Sequence, residues 1–354
     1  MSRRYGKINE IFFGQKEKIM NSWIFRVVIL ASAVLFISSV QAAEETNVDK
    51  ARDALTKKSD DADTTRQLEE VFQAAEKNYS LLKSGGKSLT YSLDYSYISD
   101  SRIDIDIQNS VVRNLDVNPS ATHSFTNTFS FDYGLLNNLT LNARLPLSTR
   151  YDTQQSLSVT DWGDVSFSLR WQPFPYVPGK ATVTINSTLS TKTGVSPYEI
   201  TVGDRLSTGS GTYSVSSGLS ISKVLDPVVL FGSLSSNYSF EQNGLNQVRG
   251  GRILKTVQQG QSFSFSSGFS YSLSYDTSLS ISTQIGYSTE TKLFFNSGNA
   301  SSPDSVSGSM NFSLGIRVDP RTIMNVSFGF GLTEDASDLN MGVSYPINIG
   351  AFTW

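Results

Sequence analysis

The sequence predicts an all-β transmembrane fold: a 12-stranded antiparallel outer-membrane β-barrel, preceded by an N-terminal helical segment that is a candidate plug. Three observations predict it. From residue 87 onward, twelve runs alternate apolar with small polar residues. On a strand that period gives one face for lipid and one for a watery lumen. The connections between runs alternate short and long, as the periplasmic turns and outer loops of such barrels do. A soluble sandwich has no reason to sort its loops this way. Finally, the charges within the runs fall on the polar set, and the apolar set carries none. A Lys or Arg facing lipid at mid-bilayer would cost about 2–4 kcal/mol.

The first element is an apolar run at residues 24–40. Arg26 precedes its core, and Val40-Gln41-Ala42 places compact residues for cleavage after Ala42, so residues 1–42 read as a secretory leader. Met20 is an alternative start, because MNSWIFR makes an ordinary leader opening; an anchored N-terminal helix is the alternative reading of the run. Residues 43–86 form the second segment. There Leu68, Val71, Phe72, Ala75, Tyr79 and Leu82 follow helical spacing. Thr64 with Gln67 resembles a capping box, and Gly85-Gly86 supply a stop. Residues 65–84 as a helix would span roughly 30 Å, which matches a hydrocarbon core of about 30 Å. The helix could thread the barrel as a plug or pack in the periplasm, and the sequence leaves both open.

Residues 87–354 are the barrel. The runs lie at 88–97, 125–133, 139–147, 165–171, 181–189, 213–221, 228–240, 263–275, 279–287, 306–318, 324–332 and 338–349. Connections at 134–138, 173–179, 223–227, 276–278 and 319–321 are short; those at 98–120, 148–162, 191–211, 241–260 and 291–304 are long. Only the last outer hairpin, 333–337, is short. An even strand count puts both ends in the periplasm, in agreement with a secreted N-terminal segment. Six charges belong to the inward set: Asp94, Asp132, Arg144, Asp164, Arg170 and Arg317. Three acids with three bases suggest mutual pairing, plug anchoring or plain lumen packing more than an ion filter. The closing run reads DLNMGVSYPINIGAFTW. Its Asn340, Gly342, Tyr345 and Ile347 resemble the C-terminal signal that barrel-insertion machinery reads. Pro346 falls inside that signal, and seven residues follow Ile347.

Composition excludes several functions. With no cysteine, the chain has no disulfide framework and no thiol chemistry. A net charge of −3 gives no reason to expect nucleic acid. His123-Ser124 pairs the single histidine with a hydroxyl, but neighbours on one strand face opposite sides and cannot form a catalytic pair. Asp100, Asp104 and Asp106 could hold a divalent cation or bridge lipopolysaccharide, and otherwise form a solvated acidic loop. No metal-ligand spacing or cofactor motif is present. Twelve strands lie between the filled lumen of eight and the open channel of sixteen. A wall of Ser, Thr, Asn and Gly hydrates easily, which suits a conduit.

Two segments are familiar: FDYGLLNNLTLNARLPL at 131–147 and WGDVSFSLRW at 162–171. They resemble the outer-membrane barrel family named for the meta-pathway of phenol degradation, as does DPVVLFGSL at 226–234. Within it, LEEVFQAAEKNYSLLKSGGKSLTYSLDYSYISDSRID at 68–104 resembles the outer-membrane pore of the Fap-type functional-amyloid export system. That resemblance implies a lumen-plugging helix, a periplasmic coiled coil, a homotrimer and secretion of amyloid-like subunits. The coiled-coil region would be residues 47–63, shorter than that group's. The competing expectations are an uptake channel for small hydrophobic or aromatic compounds and a structural barrel or adhesin. The expected surroundings are outer-membrane lipid and lipopolysaccharide.

Overall fold

A strand with a lipid-facing side can leave no backbone donor or acceptor unpaired, so each wall strand needs a neighbour on both edges. The computed structural model describes residues 81–108, 111–177, 179–201, 204–225, 227–249, 251–274, 276–319 and 322–347, with the backbone path alone between 100 and 120. The leader, Leu68, Val71, Phe72, Ala75 and Tyr79 of the helical stripe, and the tail after Ile347 lie outside the described residues.

The strands are β1 Lys87–Gln108, β2 Val111–Leu136, β3 Leu139–Asp152, β4 Leu157–Trp162, β5 Ser166–Trp171, β6 Thr182–Ser190, β7 Ser214–Leu225 and β8 Val228–Ser239. Then follow β9 Gln247–Arg249, β10 Arg252–Gln258, β11 Ser262–Ser274, β12 Thr277–Ser288, β13 Lys292–Phe295 and β14 Gly298–Ser301. The chain ends with β15 Ser305–Asp319, β16 Thr322–Gly331 and β17 Leu339–Ile347. The wall runs β1-β2-β3-β5-β6-β7-β8-β11-β12-β15-β16-β17 and returns to β1, with every neighbour antiparallel. This is a closed barrel of twelve wall positions. β4 prolongs the fourth of them.

The closing contact pairs β1 with β17 from Leu89↔Ile347 to Tyr97↔Leu339. On its other edge β17 pairs with β16 only as far as Asn325↔Ser344. Pro346 lies beyond that ladder, where a missing N–H is tolerated. The faces follow the sequence reading. Leu230 is 46% exposed, while the adjacent Val229 is 1% exposed. On β17, Met341, Val343 and Tyr345 are exposed outward. Gly342 faces inward, where an added Cβ would stand 2.7 Å from both Asp94 Oδ1 and Ser327 Oγ.

Four expected outer loops are ordered differently; one of them, 148–162, holds the end of β3 and all of β4. Residues 98–120 are not a loop: β1 and β2 stay paired out to Gln108↔Val111, as a ribbon prolonging the wall. The alternation of Ile103, Ile105 and Ile107 with Arg102, Asp104 and Asp106 is the local cause. Asp100, Asp104 and Asp106 therefore occupy one strand, opposite Ser120, Asp116 and Asn114. The outer connections at 241–260 and 291–304 build a second sheet, ordered β14-β13-β10-β9. Leu245, Leu254 and Val257 form its small core, packed by Tyr198, Leu293 and Phe295. We call this body the cap.

The closing strand yields a prediction. Gly342→Val puts side-chain atoms against Asp94 and Ser327, and overpacking of this kind costs about 1–3 kcal/mol. Urea unfolding of the detergent-folded barrel should show that loss. Ser344→Ala, on the same face, should stay within about 0.5 kcal/mol.

Candidate functional site

Among the described residues, the wall ladder is interrupted between β4 and β5. β3 pairs with β4 at Leu147↔Trp162 and with β5 at Arg144↔Ser166. Two residues of β3, Leu145 and Pro146, therefore oppose three: Gly163, Asp164 and Val165. One extra residue is a bulge, and it moves every side chain beyond it to the other face. On β5 the outward residues are Phe167, Leu169 and Trp171, exposed by 46%, 43% and 45%. On β4 the exposed positions are Ser158, Thr160 and Trp162, while Leu157 is half-buried and Val159 buried. The Thr149 and Thr160 hydroxyls meet at 3.0 Å on that polar outer face. Residues 157–162 read as loop in the sequence because their alternation is out of phase with a lipid-facing strand.

β4 also has a bare edge. It pairs with β3 on one side, and no other strand joins it among the described residues. β6 stops at Ser190, opposite Ser166. The segment after β6 takes over, and it bonds largely through hydroxyls. Thr191 donates its N–H and Oγ1 to the Val165 carbonyl at 2.9 and 2.8 Å. Thr193 Oγ1 donates to the Gly163 carbonyl at 3.0 Å and accepts from Val165 N–H at 2.9 Å. Thr208 Oγ1 donates to the Trp162 carbonyl at 2.8 Å. An exposed ion pair joins Arg205 to Asp161 at 2.8 Å.

Asp164, in the middle of the bulge, is the hub of this closure. It accepts from Gly194 N–H at 2.9 Å, Ser210 N–H at 2.6 Å and Ser210 Oγ at 2.7 Å. Its cradle admits only glycine on two sides. A Cβ at Gly209 would stand 2.5 Å from Asp164 Oδ1, and one at Gly194 would stand 2.7 Å from Gly209 Cα. Arg150 lies close enough to feel the Asp164 charge, and its Nη1 is 3.5 Å from Ser207 Oγ. Arg150 sits in the stretch that the sequence reading treated as loop, so it was missed.

The other inward charges are spread over the wall. Asp132 and Arg170 form an ion pair, and Asn142 Nδ2 donates to Asp132 Oδ1 at 3.0 Å. Arg170 is only 9% exposed. Asp94 accepts from Ser92 Oγ at 3.2 Å beside Gly342. Arg144 is exposed and Arg317 half-buried. Lower in the lumen, Thr128, Thr140, Thr184, Ser220 and Ser278 face inward yet are 2% exposed or less. The chain leading into β1 is tied to the periplasmic rim there. Leu82 N–H donates to Thr140 Oγ1 at 2.9 Å, Gly85 N–H to the Gly134 carbonyl at 2.8 Å, and Gly134 N–H to the Gly86 carbonyl at 2.9 Å.

His123 and Ser124 are separated as expected of strand neighbours. His123 lies with the outward aromatics: its Nδ1 is 2.9 Å from Tyr95 OH, and its ring packs with Tyr97 and Tyr151. Ser124 alternates to the lumen side. Asn340 and Gly342 of the closing signal face inward and Tyr345 outward, while Ile347 is the last residue paired with β1.

No protein-family model matches the sequence. Among solved structures, the chain is similar to an outer membrane channel from Pseudomonas putida F1, with a TM-score of 0.58 at 13% identity, over 76% of this chain and 97% of that one. Lesser likenesses are to the translocator domain of autotransporter NalP from Neisseria meningitidis and to the Pseudomonas putida toluene transporter TodX. The first has a TM-score of 0.43 at 10% identity, over 80% of this chain and 94% of that one. The second has a TM-score of 0.38 at 11% identity, over 79% and 93%. The fold therefore defines a bacterial outer-membrane β-barrel, whose outward face meets membrane lipid. Within that class its fold is similar to that of the Pseudomonas putida F1 protein.

The ion pair supplies the second prediction. Asp132→Ala leaves the Arg170 guanidinium buried without its carboxylate, a change that costs about 3–5 kcal/mol. Adding Arg170→Met should restore most of that loss in chemical unfolding followed by tryptophan fluorescence.

Proposed function

We propose that this protein is an uptake channel. Small apolar solutes leave the outer leaflet through the wall at the 163–165 bulge and pass down the lumen to the periplasm. The observation that carries this reading is the change of face. Apolar surface lies outside the barrel at Phe167 and inside it at Val159 and Leu157. A solute that follows apolar surface is led through the wall. The edge it must pass is held by hydroxyls, the Asp164 carboxylate and the exposed Arg205–Asp161 pair. Each such bond adds about 0.5–1.5 kcal/mol, and opening exposes no long ladder.

The N-terminal segment supplies the gate. The bond from Leu82 N–H to the inward Thr140 favours delivery of residues 64–82 into the lumen over a helix standing free in the periplasm. Leu68, Val71, Phe72, Ala75 and Tyr79 then form the apolar face of the plug. Secretion of amyloid-like subunits remains the reading that the resemblance implies. It calls for a bore wide enough for an extended chain. The closing strand would be what the barrel-insertion machinery engages.

Three outcomes are expected. Deleting residues 64–79 should raise single-channel conductance in planar bilayers; equal conductance with and without them would remove the gate. The chain has no cysteine, so Asp161→Cys with Arg205→Cys gives a clean pair for a short bifunctional thiol reagent. Bridging that pair should lower cellular uptake of a labelled monoaromatic hydrocarbon several-fold, and unchanged uptake would contradict entrance at the bulge. Deleting the gene should impair growth on apolar carbon sources and leave surface fibres intact; loss of fibres with normal growth would favour secretion.

A further inference from the structure

Gln259, which sits between β10 of the cap and β11 of the wall, is a side chain that joins the cap to the wall bulge. Both ends of its amide are used. Its Oε1 accepts from Thr212 Oγ1 at 3.0 Å, and its Nε2 donates to Tyr198 OH at 3.0 Å and to the Ser210 carbonyl at 3.1 Å. Tyr198 packs on the cap core of Leu245, Leu254 and Val257. Ser210 donates twice to Asp164. The path Tyr198–Gln259–Ser210–Asp164 thus runs from the cap core to the centre of the bulge. A parallel tie joins Lys192 Nζ to Gln242 Oε1 at 3.1 Å. Arg249 Nη2 adds bonds to the Pro197 and Ile200 carbonyls at 2.7 and 2.8 Å.

We infer that Gln259 couples the cap to the wall: displacing the cap withdraws Ser210 from Asp164 and frees the segment after β6 from the bare edge of β4. The physical ground is that a polar network in which every member is satisfied holds and fails together. Here the network also anchors part of the segment that closes β4, beside the Thr193 and Thr208 bonds and the Arg205–Asp161 pair. The cap faces the exterior, so contact made there reaches the wall opening without passing through the lumen. This inference rests on the bulge being an entrance. The coupling itself can be measured without transport.

The test is hydrogen exchange on the full-length, detergent-folded protein. Two amides report the bulge and two the cap. Gly194 and Ser210 donate to Asp164. Val257 N–H donates to the Gln242 carbonyl and Leu245 N–H to the Lys255 carbonyl. Gly194 is not bonded to Gln259, so it is the remote reporter. Gln259→Ala should speed exchange at Gly194 by about 10-fold, within the usual range of coupling between sites. Gln259→Met, which fills the space without bonds, should do the same. Coupling is reciprocal, so Asp164→Asn should speed exchange at Val257 and Leu245. Amides in the β11–β12 ladder should not change. The inference is overturned if Gln259 variants leave Gly194 unchanged, or if Asp164→Asn loosens Gly194 and Ser210 while the cap amides keep their rates. Coupled exchange with unaltered uptake would support the coupling and remove the entrance reading.

Discussion

The whole structure answers to one constraint: hydrocarbon offers no partner to a backbone N–H or C=O. Twelve wall positions close on themselves because the β1–β17 ladder leaves neither terminal strand with a free edge. The same constraint explains why alternation is so strict. Once ladders satisfy the backbone, the two faces are free to differ, and Leu230 can be exposed while Val229 is buried. Hydrophobic burial, which organises soluble folds, survives here in small clusters. One is Val229 with Phe231 near the lumen wall, and the other is the cap core.

Against that background the bulge at Gly163–Asp164–Val165 is the one place where the described wall is closed by other means. A single inserted residue turns the apolar face of the fourth wall position from lipid to lumen. The ladder cannot continue onto β6, so Thr191, Thr193, Thr208 and Ser210 stand in for it. Asp164 gathers their segment by accepting from two backbone amides and a hydroxyl. Glycines at 194 and 209 let the chain come that close. A seam held by side chains opens at far lower cost than a ladder, and this links register to the proposed route. The likeness to an outer-membrane channel is one of fold.

Much of the barrel was legible because strand periodicity is local. The twelve runs, the outward aromatics and the closing strand follow from alternation alone. Features that depend on register were not legible. Residues 157–162 form a strand whose polar side faces out, so their pattern mimics a loop until the extra residue is placed. Pro146 and Gly163-Asp164 were the available signal, and only the pairing shows what they do. Asp132 and Arg170 meet because β2, β3 and β5 align them, which spacing in sequence does not encode. The isoleucines at 103, 105 and 107 did carry the ribbon's alternation, but the acidic residues between them suggested solvent. The cap needs contacts between three separate connections. The helical stripe from Leu68 to Tyr79 lies outside the described residues.

The most direct test is to ask which residues the bilayer can reach. A lipid-soluble photoactivatable probe would be confined to vesicles holding the folded protein, and its adducts mapped by mass spectrometry. The account predicts labelling of inward-facing Leu157 and Val159 together with lipid-facing Phe167 and Leu169, and none on inward residues far from the bulge such as Ser280. Labelling restricted to the outward set, with Leu157 and Val159 untouched, would contradict it.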